Sequence, residues 1–152
     1  MPQSVPFGFD TPYASPGLLL WRVSAAWLRN IRDTLEPLGL THAQFVFAAA
    51  LAWRQTRDAS YGGDTQAQLA QMIGMDVMTA SQVARTLEGK GFLERRPKEG
   101  DGRAMTLVLT DSGLEVVRRA LPLVNAADAR FFAPLEGETA FIAELRRLIG
   151  VT

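Results

Sequence analysis

The chain has 152 residues, 47% of them hydrophobic, with sixteen basic side chains against sixteen acidic ones. That is enough chain to bury one real core. Cysteine is absent and His42 is the only histidine, which excludes disulfides, a thiolate metal site and a thiol redox switch and leaves carboxylates almost alone to bind zinc. The longest apolar run, Phe45 to Trp53, is nine residues, about half of what a membrane span requires.

Residues 1–17 hold four of the eight prolines together with Phe7, Phe9 and Tyr13, so they are expected to form an extended arm. The opening MPQSVPFGFD lacks the basic residues and long apolar stretch of a signal peptide, and the expected location is the cytoplasm. From Leu18 to Leu35, Leu20, Val23, Trp27, Ile31 and Leu35 make one helical stripe opposite Arg22, Arg29 and Asp33. Thr41 and Gln44 read as a capping box in front of the run Phe45–Trp53. Gln55 to Asp64 reads as a polar loop with paired glycines.

A second capping box, Thr65 and Gln68, opens a short helix whose Leu69, Met72 and Ile73 are expected to face inward and which Gly74 stops. Asp76 then caps a helix running to Lys90, in which Ala80, Val83, Ala84 and Leu87 gather on one buried face. Two helices joined by so tight a turn have the form of a helix-turn-helix. Met78, Gln82 and Arg85 point the other way: a methyl-contacting side chain, an amide and a guanidinium, the chemistry that meets base edges and phosphates in a major groove. Phe92–Arg96 and Ala104–Leu109 are strand-like, and PKEGDGR between them is a hairpin tip. Thr110 caps a helix carrying Leu114, Val117 and Leu121 that must bend or break at Pro122. A last helix near Glu138–Ile149 presents Phe141, Ile142, Leu145, Leu148 and Ile149. Between Gln82 and Arg103 six basic residues stand against four acidic ones.

In order and spacing, LGLTHAQF (38–45), TQAQLAQMIGMD (65–76), SQVARTLEGKGFLERRP (81–97) and DGRAMTLVLTDSG (101–113) resemble the MarR family of bacterial transcriptional regulators, dimeric winged-helix proteins that often answer to small aromatic ligands. The resemblance spans roughly residues 18–149. It implies a mainly α fold with a small β-hairpin wing: one domain over 18–152, with a winged helix-turn-helix at about 41–109 and dimerisation helices at about 18–35 and 111–149. The family's wing signature, an aspartate and an arginine one residue apart before the second strand, falls on Asp101 and Arg103. The resemblance assigns the arginine to a minor groove and the aspartate to holding it or a neighbouring arginine. Electrostatics favours the same, because a narrow A·T-rich groove concentrates negative potential within reach of a thin basic loop. The chain departs from the family pattern in a longer 55–64 loop, in Gly100 and Gly102 around Asp101, and in Met78 and Gln82 on the recognition helix.

The expected DNA contacts are therefore Met78 on thymine methyls, Gln82 on adenine, Arg85 on guanine or phosphate, and Thr79 and Ser81 on phosphate. On the wing they are Asp101 and Arg103, with Arg95, Arg96 and Lys98 either phosphate contacts or plain strand-edge charges. The expected partners are double-stranded DNA, a second copy of the chain and a small-molecule effector, with no membrane, cofactor or metal. Trp21, Trp27, Phe45 and Trp53 read first as core aromatics and second as the lining of an effector pocket, and His42 first as an exposed first-turn residue and second as an effector contact. An enzyme is disfavoured by the lack of a nucleophile, phosphate loop or metal cluster. The alternative is a winged helix that docks protein without reading DNA, which the neutral net charge would suit.

Overall fold

The computed structural model describes residues 5–58 and 60–151. Among the described residues, six α-helices and two strands follow one another: α1 (Pro16–Leu35), α2 (His42–Arg57), α3 (Gln66–Ile73), α4 (Val77–Gly89), β1 (Leu93–Lys98), β2 (Asp101–Leu109), α5 (Asp111–Phe132) and α6 (Glu138–Leu148). The expected mainly α fold with one hairpin is what forms. Both capping boxes are made, Thr41 with Gln44 and Thr65 with Gln68, so the first orphan amides of α2 and α3 have partners. Gly74 ends α3 at φ +69°, a left-handed conformation that a side chain would oppose. Two residues later Asp76 accepts the amide of Thr79 at 2.9 Å and starts α4.

The core lies where α2, α3, α4, β2 and α5 meet. Phe47, Leu51, Leu69, Leu87 and Leu107 are fully buried there, with Ile31 and Leu35 from the end of α1. Each such side chain contributes about 1.5–3 kcal/mol by leaving water. Several elements differ from the sequence reading. The arm is not extended throughout: Pro12–Ala14 form a 3-10 turn, and α1 starts at Pro16, because Ser15 caps it by accepting the amide of Leu18 at 3.3 Å. Helix α2 continues to Arg57, so Gln55 is helical rather than in a loop.

Helix α5 neither breaks nor ends at Pro122. Pro122 and Arg118, whose carbonyl loses its helical partner there, both lie on the exposed side, where water can take the freed hydrogen bond. The strands reach further into the expected tip, to Lys98 and from Asp101. Met72 is exposed where burial was expected, and Leu69 and Ala70 carry the inward face of α3.

The segment before α3 is fastened to the hairpin. Asp64 bridges Leu107 in antiparallel fashion, and the Thr106 hydroxyl donates to Gly62 O at 2.8 Å. A Cβ on Gly63 would stand 2.8 Å from both Leu107 O and Thr106 Cβ. Asp64 thus acts as a third, one-residue strand on the free edge of β2, and Thr106 through Leu109 are all buried where α2 and α5 pack on the strand.

Candidate nucleic-acid interface

Helix α4 buries Ala80, Val83, Ala84 and Leu87 and leaves the opposite side uncovered. Met78 is 83% exposed and Val77 65%, and Gln82 and Arg85 are exposed a turn and two turns further on. Ser81 and Thr79 are half-buried at the flanks. The Thr79 hydroxyl donates to the second carboxylate oxygen of Asp76, which leaves its lone pairs outward and its proton engaged. These bonds pull the Asp76 carboxyl below its ordinary range, so the cap is charged and complements the positive helix end. Val77 was missed in the sequence reading, since it belongs to neither the buried stripe nor the polar one.

The wing is irregular where it matters. Pro97 pairs with Met105 and the next residue, Lys98, pairs with Asp101, so Gly102, Arg103 and Ala104 form a bulge with no residues opposite them. The Asp101 carboxylate accepts the backbone amide of Arg103 at 3.1 Å. It therefore fixes the main chain beneath Arg103, and the guanidinium is exposed. Two of the other wing cations are engaged within the protein: Arg95 with Glu88 at 3.2 Å and Arg96 with Glu94. Among the described residues Arg85, Lys98 and Arg103 have no ion pair. Lys90, though exposed, reaches across to donate to Gly39 O at 2.6 Å and Gln44 Oε1 at 3.0 Å, tying the end of α4 to the start of α2.

Of the five aromatic and histidine effector candidates, the structure brings two together. Trp27 meets His42 edge to face, with ring centroids 4.9 Å apart, and its Nε1–H donates to Asp128 Oδ1 at 2.8 Å. His42 is half-buried, not exposed, and burial holds its pKa below 6.5 against an opposing pull from Asp128. It borders a groove of about 610 Å³ that also touches Leu28, Arg32, Leu40 and Lys90. Phe45 is packed into the core instead, Trp21 is exposed, and Trp53 lies outside under the Arg57 guanidinium. Asp128 could not be seen from sequence, being 101 residues from the indole it binds.

The family model described as MarR matches residues 59–105, which span α3, α4 and most of the wing. Beyond that stretch, an HTH-type transcriptional regulator of Bacillus subtilis, YdcH, is 37% identical over 93% of this chain and 94% of its own length. The chain belongs to the MarR family of transcriptional regulators. The HTH-type transcriptional repressor Rv2887 of Mycobacterium tuberculosis is 34% identical over 78% of this MarR protein and 81% of its own chain. Its crystal structure, a complex with salicylic acid, has a TM-score of 0.63 at 31% identity, covering 95% of this chain and 98% of that one. BpsR of Bordetella bronchiseptica has the same fold, with a TM-score of 0.79 at 23% identity over 95% of this chain and 99% of its own. The winged-helix assignment thus stands on structure as well as sequence.

Proposed function

We propose that this MarR regulator is a repressor that binds a pseudo-palindromic operator as a homodimer and is released by a small aromatic carboxylate. The observation that carries the reading is Arg103, lifted into a bulge, braced through its backbone by Asp101 and without an acidic partner among the described residues. It complements the uncovered face of α4, where Met78 would meet thymine methyls, Gln82 an adenine edge and Arg85 guanine or phosphate, with Ser81 and Lys98 on the backbone, and Thr79 can join them only by turning its hydroxyl proton from Asp76 to a phosphate. Arg95 and Arg96 can join only by exchanging their glutamates for phosphate.

Dimerisation through α1, α5 and α6 is supported by their unpartnered apolar faces. Helix α6 buries none of its residues, and Leu19, Leu20 and Trp21 of α1 and Leu121 and Leu123 of α5 are exposed. A twofold pair would set its recognition helices about 34 Å apart or a small multiple of that. Repressor sense is supported by the kinship with Rv2887, and release by a ligand by the salicylic acid in that protein's structure. In this chain Trp27 and His42 offer an aromatic face and a proton donor to such a ligand. The ligand's differential affinity for the two states sets the size of the response. A DNA-reading dimer of this kind works in the cytoplasm.

The experiment is selection of bound sequences from a randomised duplex pool. An enriched inverted repeat supports the reading. No enrichment, with binding indifferent to salt, would transfer the exposed α4 face to a protein partner.

A further inference from the structure

The last turn of α2 grips the edge of β2 that faces away from β1. At Leu107 that edge is satisfied by main chain, the Leu107 amide donating to Asp64 O at 2.8 Å. Two residues on, where an antiparallel ladder would next need a strand residue, a side chain takes its place. The Gln55 carboxamide donates from Nε2 to Leu109 O at 3.1 Å and accepts the Leu109 amide at Oε1 at 3.0 Å.

The neighbouring residue of α2 holds the other half of this edge. Arg54 engages the Asp64 carboxylate through Nε at 3.0 Å and Nη2 at 3.2 Å. The Tyr61 hydroxyl adds a third bond at 2.7 Å. Asp64 is only 6% exposed, so its charge would be costly without these partners. Burial and the adjacent carboxylate keep the Tyr61 phenol protonated as a donor. Gln55 thereby holds the strand that carries the wing directly at Leu109, and its neighbour Arg54 holds it indirectly at Leu107, through Asp64. Helix α2 also packs against α1 and α5.

We propose that Gln55 and Arg54 are positioning residues that set the pose of the wing, and with it Arg103, from the end of α2. A displacement of α2 then reaches the minor-groove loop directly through β2, without passing through the recognition helix. This rests on the DNA-binding reading for its consequence, while the mechanical link can be tested without it.

The test uses Gln55→Met, which keeps side-chain length and helix propensity but loses both bonds to Leu109, and Arg54→Lys as a second variant. Hydrogen exchange is followed amide by amide. The link predicts faster exchange at Leu109 and along 98–107 with α1 and α5 protection unchanged. Uniformly faster exchange, or an unaltered wing, overturns it. On the selected operator, Gln55→Met should weaken binding about tenfold, and adding Arg103→Ala should then cost less than about twofold further, since coupled residues are not additive. Full additivity of the two losses overturns the link to Arg103. If the wild-type protein selects no operator, the DNA reading fails, and the exchange pattern alone decides whether α2 positions the wing.

Discussion

At the scale of single residues, the proposed site divides base reading from backbone contact. Gln82→Ala should relax preference at one base pair of each half-site and cost about 1–3 kcal/mol per half-site on the preferred sequence, whereas Lys98→Ala should weaken all duplexes alike and lower the salt slope by about one to two. Selection and titration with each variant distinguish these outcomes, and equal weakening of every site by Gln82→Ala would remove its reading role. His42 should contribute to the pH dependence of stability near neutrality. Its folded pKa lies below 6.5 because of burial, so the neutral ring's contribution is present above pH 6.5 and is lost as pH falls through the lowered folded value. Thermal melts between pH 7.5 and pH 5 should show a fall in Tm that His42→Phe reduces. Gly63 has φ +98° and no room for a Cβ, so Gly63→Ala should destabilise by several kcal/mol or displace the 60–64 segment. A melt within 1 °C of wild type would show that the segment yields freely.

At the scale of elements, what was legible in the sequence was whatever depends on near neighbours. Thr41 with Gln44, Thr65 with Gln68, and Asp76 announced helix starts because a cap and its amide lie three residues apart. The Ala80–Leu87 stripe announced its buried side through helical period. What stayed hidden was made by long-range pairing: the Asp64 bridge on the free edge of β2, the Gln55 carboxamide standing in for a strand, and the Asp128 carboxylate under Trp27. The bulge at Arg103 was also invisible, since register is a property of two strands. Of the bend or break expected at Pro122, the break does not occur: α5 runs through the proline, with Pro122 and Arg118 both on the exposed side, where water can take the freed hydrogen bond. Pro122→Ala should accordingly raise stability, by up to about 3 kcal/mol on propensity alone. A lower Tm in the variant would mean that the proline sets a curvature on which packing of α5 depends.

At the scale of the whole molecule, the chain combines a packed winged core with helices whose apolar surfaces stay open. Large exposed side chains such as Trp21, Leu121, Leu148 and Ile149 are a liability in a lone molecule and an asset in a symmetric pair. Sedimentation at micromolar concentration should show a dimer, and a stable monomer would contradict the proposed operator geometry. The zero net charge fits the proposed regulator, in which attraction to DNA would be confined to the α4 face and the wing while weak overall charge limits idle binding elsewhere.

The most direct measurement is affinity for the selected operator across a salt series, for the wild-type protein and Arg103→Ala side by side. The account predicts that log affinity falls steeply with log salt, that Arg103→Ala weakens binding at every salt concentration, and that its slope is shallower by about one to two, one for each wing of a dimer. Superimposable lines for the two proteins would contradict it, because the arginine that the bulge presents would then play no part in holding DNA.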